Sequence, residues 1–449
     1  MCGIAGFRGE DARRQTAGMI ELLQSRGPDG TGLWEGPGIC LAHARLKVTG
    51  DCPQPASAGK MVFVFNGEIF NYRDFGPCTS DTEAVAGLLA GGVDAFAKAA
   101  PSLDGDYALA AWDGESLALI RDPLGVKPLF YGTAPGGFCF ASERKALRRA
   151  GAGEIRALAP GGLLVDGAEQ GRIDLPAAGP AITDEGEAVR LLDEALAAAV
   201  RARLHPDAAV AFSGGLDSAL VGALAAKAPL LTVGMAGSHD LKAAERAARL
   251  MEAGDRHSIY PISAQEIEEA LPGVVYAIES AEPLQVSIAL PLYLLAQRAR
   301  EDGYRVLISG QGADELFAGY ARYEAAGAAL GGMLDRDLRR LAEANLERDD
   351  AATMAHGVEL RVPYLARQVV AVARRTGPDL KLRANGKGYI RKYVLRKVAE
   401  KHLPGEVAAA PKKAIQYGTS VQRALERLAK ARGCGLPDFL DSVYRDVLT

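Results

Sequence analysis

Apolar residues fall along this chain in two rhythms. Up to residue 165 the runs are short: MVFVFNGEIF (Met61 to Phe70), YALAAWDG (Tyr107 to Gly114), SLALIRD (Ser116 to Asp122) and GFCFASE (Gly137 to Glu143), punctuated by Gly, Pro, Asp and Asn. Runs of strand length with that punctuation predict packed antiparallel sheets. A Gly/Pro/Ala-rich stretch from Gly161 to Ile182 reads as a linker or domain edge. Beyond it, Glu185 to Leu204 has helical periodicity and AAVAF (Ala208 to Phe212) is a short buried-strand candidate. SALVGALAAK returns to helix, PLLTVGM to strand and DLKAAERAARLMEAG to helix, with YRVLISG (Tyr304 to Gly310) as a further strand ending in a loop. That alternation predicts a parallel sheet covered by helices. From Leu316 onward helical patterns dominate. The expected division is therefore a first domain over 1–165, a linker over 166–184 and a second domain over 185–449.

Composition adds little to this picture except exclusions. The 449 residues are 48% apolar and 24% charged, with 52 Lys plus Arg against 56 Asp plus Glu and a formal charge of −4. This is ordinary globular composition, and the near-balance gives no sign of a nucleic-acid or anionic-membrane partner. The most apolar window, Ala219 to Gly237, is interrupted by Lys227 and Pro229, short of the ~18 apolar residues a membrane span needs. MCGIAGFRGEDARR does not have the order of a signal peptide, so the cytoplasm is the expected compartment. The six cysteines form no CxxC pair and the six histidines no HExxH, which argues against a disulfide framework or a zinc site.

Candidate chemistry begins at Cys2. Removal of Met1 would leave a thiol and a free α-amine on one residue, and an amine with a pKa near ~7.7–8 can act as the base for its own nucleophile. A cysteine at position 2 says little alone. Here it is followed in order by RGPDG (Arg26 to Gly30), AHARL (Ala42 to Leu46), FNGEIFNY (Phe65 to Tyr72), SDTE (Ser80 to Glu83), DGDYALAAWD (Asp104 to Asp113) and RDPLGVKPLFY (Arg121 to Tyr131). This set resembles the class II glutamine amidotransferase domain, which implies an α+β N-terminal-nucleophile fold of two stacked antiparallel sheets between helices. The resemblance implies a catalytic role for Cys2, with Asn66 and Gly67 donating a side-chain amide and a backbone N–H to the oxyanion. Arg45 suits the α-carboxylate of glutamine, Glu68 and Asp81 its α-ammonium, and Arg45, Leu46, Lys47, Val48 and Thr49 line the pocket. Only Gly76, Pro77, Cys78 and Thr79 separate FNYRDF from SDTE, where many relatives carry a helix-sized insert.

A second constellation lies in AFSGGLDSALVGALA (Ala211 to Ala225), a Ser/Gly loop between a predicted strand and helix. Glycines allow close backbone approach and a helix N-terminus favours an anion, but no GK[ST] is present, so this is not a Walker loop. SGGLDS resembles the pyrophosphate loop of ATP pyrophosphatases. With SGQGADELFAGYARY (Ser309 to Tyr323), GVELRVPYL (Gly357 to Leu365), KYVLRKVAEKHLP and PKKAIQYG (Pro411 to Gly418), the second half resembles the synthetase domain of glutamine-hydrolysing asparagine synthetases. The resemblance implies an α/β parallel-sheet domain with a helical C-terminal part. It implies ATP binding by Phe212, Ser213, Gly214, Gly215, Asp217, Ser218, Val233, Ser309 and Gly310, and Mg²⁺ held by Asp217 and Asp314. Lys412, with Lys413 beside it, is the expected cation at the α-phosphorus, and Arg361 a possible phosphate or substrate contact. Gln311 stands where most of these enzymes have a glutamate and cannot accept a proton. Ala366 follows RVPYL where an aspartate is usual.

These readings converge on an ATP-dependent amidotransferase. Glutamine is hydrolysed at Cys2, and ammonia passes internally to a site where aspartate is adenylylated and amidated, releasing AMP and pyrophosphate. Two alternatives remain open: the same chemistry on another carboxylate, and a glutamine-sensing or scaffold protein with a degenerate synthetase half. The expected partners are small-molecule substrates, with no nucleic acid and no membrane. The resemblance also suggests a homodimer.

Overall fold

The computed structural model describes residues 2–176, 179–386, 388–410 and 419–448. It divides into two compact units. The first comprises the chain up to Pro176 together with Ala342–Gly357, and the second the rest.

Unit 1 is built on two six-stranded antiparallel sheets. One contains β1 (Gly3–Gly9), β2 (Gly30–Gly36), β3 (Ile39–Arg45), β8 (Phe130–Ala134), β9 (Gly137–Ala141) and β10 (Ile155–Ala157), in the order β10-β8-β9-β1-β3-β2. The other contains β4 (Ala56–Ala58), β5 (Met61–Ile69), β6 (Gly105–Trp112), β7 (Leu117–Arg121), β11 (Gly162–Val165) and β12 (Ala168–Arg172), in the order β12-β11-β7-β6-β5-β4. Side chains alternate faces along a strand, so both faces can be read off the sequence. Val64 of β5 and Ala108 and Ala110 of β6 meet Ile4, Ile39 and Leu41 between the sheets. Their neighbours Phe63, Phe65, Tyr107 and Leu109 pack outward under the helices Asp81–Leu89 and Val93–Ala99. On the opposite side Phe7, Cys40 and Cys139 pack against Met19 and Ile20 of the helix Ala12–Glu21. Both sheets are thus covered twice, which is why β5 and β6 read as nearly continuous apolar runs. Each fully buried Phe contributes roughly 1.5–3 kcal/mol of transfer free energy. β12 falls inside the stretch expected as a linker, and Ala342–Gly357 comes from a region expected wholly in the second domain.

Unit 2 carries a five-stranded parallel sheet of β13 (Ala208–Ala211), β14 (Leu230–Met235), β15 (His257–Ile262), β16 (Val306–Ile308) and β17 (Glu359–Arg361), in the order β15-β14-β13-β16-β17. The order reverses between β13 and β16, where Val210 pairs with Ile308. Connections leave in opposite directions there and open a crevice at the strands' C-terminal ends, the place where α/β sheets bind ligands. SGGLDS follows β13 and SGQGADE follows β16, so topology alone sets the two loops side by side. β17 lies in the region expected to be helical. It is only three residues long, too short for a period-two pattern to register, and is fixed by pairing with β16.

Candidate active sites

In unit 1 the edge-to-edge pairing of β1 with β3 and the turn after β3 bring Cys2 to Leu46, whose carbonyl accepts the thiol at 3.9 Å. Asn66, in β5, is fully buried, and its Oδ1 accepts the Cys2 N–H at 3.0 Å. Its Nδ2 has no hydrogen-bond partner among the described residues. A buried amide group left so costs about 1–3 kcal/mol, and the cost is recovered when an acceptor arrives beside Cys2. Next to it Gly67 pairs with Tyr107, and a Cβ there would sit 2.2 Å from the Asp106 carbonyl. Only glycine lets β6 approach this closely.

Glu68 and Asp81 are both buried, and the Thr49 hydroxyl donates to Glu68 at 2.5 Å. Asp81 stands in the first turn of the helix Asp81–Leu89, capped by Ser80, whose hydroxyl accepts from the Glu83 N–H. Burial first, and then the charge of Glu68, push its carboxyl well above the ordinary range, although the Thr82 and Ile69 peptide N–H groups pull the other way. Two buried carboxylates in one pocket resist ionising together, and a cationic guest relieves them. Arg45 pairs with Asp51 at 2.9 Å, with Lys47 reaching the same carboxylate at 3.0 Å. Leu46 and Val48 pack on Met354. His43, on β3, is held neutral with its pKa pushed down to about 3 by burial and the charge of Arg45, which makes it a weak base.

In unit 2, Ser213 and Ser218 face each other at 3.1 Å across the Gly-rich turn, and the Ser218 hydroxyl also accepts the Ser213 N–H. Gly214 adopts φ +72, and a Cβ on it would press into the backbone of Ala243 and Ala244 at 2.7 Å. Phe212 is buried against the His257 ring, and Val233 lies on neighbouring β14. Ser309 and Gly310 follow β16. The Ser309 N–H donates to the Arg361 carbonyl and its hydroxyl accepts from the Gln311 N–H at 3.3 Å. Gly310 allows close approach to Asp217, whose Cβ lies 2.9 Å from where its own would be.

Asp217 and Asp314 come together, but on a residue the sequence reading did not single out. The ammonium of Lys392 is 2.5 Å from Asp217 and 2.7 Å from Asp314. Burial alone would lower the lysine pKa; the two carboxylates more than offset it and raise it. Lys392 adopts a left-handed conformation, φ 55, at the start of the helix Tyr393–Ala399. Non-glycine residues held there mark places where the surroundings enforce a geometry. The only sequence signal was a lysine among many in IRKYVLRK. Gly319 makes room for the contact, since a Cβ would meet Asp314 Oδ1 at 1.8 Å.

Arg361, expected as a phosphate or substrate contact, lies on β17 with its side chain buried. Its guanidinium is buried on Glu359 at 2.9 Å and on the Arg203 carbonyl at 2.8 Å, closing the C-terminal end of the helix Glu185–Arg203. Lys412 and Lys413 lie outside the described residues. Among the described residues no helix is long and apolar enough to cross a membrane, and no group of three or more His, Cys, Asp or Glu forms a metal cluster.

A two-sheet unit with an N-terminal thiol beside a pinned amide, joined to a parallel-sheet unit with the SGGLDS loop at its switch point, defines a two-domain amidotransferase–synthetase. A family profile described as glutamine amidotransferase domain matches residues 1–159, and one described as asparagine synthase matches residues 191–331 and 324–436. A relative from Methanocaldococcus jannaschii bearing a glutamine-hydrolysing asparagine synthetase name is 31% identical, with all of both chains covered. Asparagine synthetase B (glutamine-hydrolysing) of Escherichia coli is 30% identical over 93% of this chain and 82% of its own. Asparagine synthetase (glutamine-hydrolysing) 1 of Saccharomyces cerevisiae is 27% identical over 93% and 85%. The chain belongs to the glutamine-hydrolysing asparagine synthetase family.

Proposed function

We propose that the chain makes asparagine from aspartate, ATP and glutamine. The observation that carries the glutaminase half is Asn66, whose Oδ1 accepts the Cys2 N–H while its buried Nδ2 has no hydrogen-bond partner among the described residues. After Met1 is removed, the Cys2 amine takes the thiol proton and the thiolate attacks the glutamine side-chain carbonyl. Asn66 Nδ2 and the Gly67 N–H receive the oxyanion, ammonia leaves, and water resolves the thioester to glutamate. Glu68 and Asp81 receive the substrate ammonium. Arg45 reaches the α-carboxylate by exchanging its contact with Asp51, a swap between two carboxylates of similar strength at a partly exposed site.

In unit 2, ATP lies over the SGGLDS turn, with Phe212 and Val233 against the base and Ser213, Gly214, Gly215, Ser218, Ser309 and Gly310 along the nucleotide. Asp217 and Asp314 fit a divalent cation: they already converge on one cationic centre, and two carboxylates leave room for the phosphate oxygens and waters Mg²⁺ prefers. Mg²⁺ bound there supplies charge neutralisation on the phosphates. The aspartate β-carboxylate oxygen attacks the α-phosphorus and pyrophosphate leaves, with Lys392 and Lys412 as protein cations against the developing charge. Gln311 orients groups by hydrogen bonding without taking a proton. Ammonia, nucleophilic only when unprotonated, then displaces AMP from the acyl adenylate.

The test is product analysis with purified protein, ATP, Mg²⁺, glutamine and aspartate. Equal amounts of asparagine and pyrophosphate are expected, with Cys2→Ala abolishing glutamine-driven but retaining ammonia-driven synthesis. Glutamate without asparagine would refute aspartate as the acceptor.

A further inference from the structure

Arg26 lies in the RGPDG motif, and its guanidinium is completely buried. Nε donates to the backbone carbonyl of Cys2 at 3.1 Å, one Nη to Glu143 at 2.9 Å, and the other to Asp350 at 2.7 Å. Glu143 has a second cation, Lys145, at 2.7 Å. Asp350 belongs to Ala342–Gly357, a piece of the C-terminal half of the sequence that is part of unit 1. Three further residues of that piece seat it within unit 1. Glu347 takes both Arg121, at 3.2 Å, and Arg144, at 3.1 Å. Met354 packs on Leu46, whose carbonyl accepts the Cys2 thiol. Gly357, at φ +63, runs beside Ser25 and Pro28.

We propose that Asp350 is a positioning residue for glutamine hydrolysis: it orients Arg26, and Arg26 holds the Cys2 carbonyl, so the nucleophile is set in place by a segment from the far half of the chain. A guanidinium is planar, and two carboxylates on separate elements fix its plane, which aims Nε at the Cys2 carbonyl. Cys2 precedes β1, outside the paired residues of that strand. Thiol and carbonyl share one Cα, and a displacement of the carbonyl swings the thiol relative to Asn66. Ala342–Gly357 runs at one end from the helix Leu330–Leu341 and at the other into β17, where the Arg361 carbonyl accepts from Ser309. Glutaminase geometry therefore requires a stretch of backbone tied at both ends into the synthetase framework.

The proposal rests on Cys2 being the nucleophile, and the experiment separates the two. In the full-length protein, Asp350→Asn preserves shape and removes the charge. The expected result is a fall in kcat for glutamine hydrolysis of about 100-fold, the scale of a misplaced reacting group, with KM for glutamine within about 3-fold. Ammonia-driven asparagine synthesis stays within about 2-fold, the limit expected of a change remote from its chemistry. Arg26→Gln alone gives the same split. The double variant Arg26→Gln with Asp350→Asn, which leaves neither charge uncompensated, is no worse than Arg26→Gln alone. Should Asp350→Asn fail to fold, the double variant gives the decisive split on its own. Undiminished kcat in Asp350→Asn, a change confined to KM, or multiplicative losses in the double variant would each overturn the proposal. Glutamine hydrolysis surviving in Cys2→Ala would instead overturn the nucleophile assignment beneath it.

Discussion

Asp81→Asn is the sharpest test of the glutamine pocket, because it is expected to make the protein more stable and the enzyme worse. Asn occupies the volume of Asp and can still accept the Thr82 N–H that Asp81 accepts at 2.7 Å. What disappears is a carboxyl that burial and Glu68 push above its ordinary range. In the free protein such a group binds its proton more tightly folded than unfolded. Between its ordinary pKa and its raised one the native state therefore holds more protons, and stability falls as pH rises. Each unit of that rise costs about 1.4 kcal/mol once the group is ionised, and a kcal/mol is worth about 2–4 °C in a domain of this size. Asp81→Asn should thus raise the melting temperature of unit 1 at alkaline pH and leave it unchanged in acid. Substrate binding has the opposite interest. In the proposed pocket the ammonium of glutamine is held best by two carboxylate anions, so it binds with loss of the Asp81 proton. In the wild type, KM for glutamine should climb as pH falls below the raised pKa, by up to about tenfold per unit, which is one proton released per ligand bound. The variant should show a flat profile and, at alkaline pH, a KM about 10–100-fold higher, the value of one charged hydrogen bond. Thermal unfolding across pH and steady-state glutaminase kinetics over the same range give both readouts. A wild-type KM independent of pH, or a variant less stable than wild type in alkali, would refute the account.

Two other substitutions separate the active sites. Asn66→Ala removes the proposed oxyanion donor and should lower kcat for glutamine hydrolysis about 10²–10³-fold while ammonia-driven synthesis continues; equal loss of both activities would show that Asn66 supports the fold and not the oxyanion. Lys392→Met leaves Asp217 and Asp314 facing each other without their cation. It should cost up to about 3 kcal/mol, fewer where water reaches the carboxylates, and part of this should return on adding Mg²⁺. Aspartate-dependent pyrophosphate release should fall about 100-fold with glutamine hydrolysis intact. A melting temperature indifferent to Mg²⁺ would argue against the two carboxylates as its ligands.

What the sequence shows of this molecule depends on how far apart in the chain the cooperating residues stand. Asn66, Gly67 and Glu68 are consecutive on one strand, and Ser213 to Ser218 form a single turn, so their order is itself a chemical pattern. The two-sided burial of β5 and β6 is legible in the same way, as apolar runs too continuous for a half-exposed sheet. β17 escapes because a three-residue strand has no period to detect and exists only through its neighbour β16. Lys392 escapes because nothing adjacent to it in the sequence announces that two aspartates, 175 and 78 positions earlier, will converge on its ammonium. Arg361 illustrates the converse: it lies within a recognisable motif, yet its guanidinium is used to close a helix end.

Arg26 lies between these cases. RGPDG is visible at once, but the demand on its arginine is not, since its partners come from Glu143 and from Asp350, 324 positions away. A completely buried guanidinium is costly to desolvate, and replacing it together with its carboxylate partners by well-packed apolar groups is often at least as stabilising. Stability alone therefore does not account for its presence. An apolar substitute would keep the packing but leave the Cys2 carbonyl without its donor and Asp350 without its cation. Since Ala342–Gly357 runs into β17, which also carries the carbonyl that receives Ser309, the backbone proposed to set Cys2 is continuous with the backbone that holds the loop after β16. That continuity gives a physical reason for two chemistries to be carried on one chain: under the proposal, the glutaminase nucleophile cannot reach its working geometry until the chain has been made as far as Gly357.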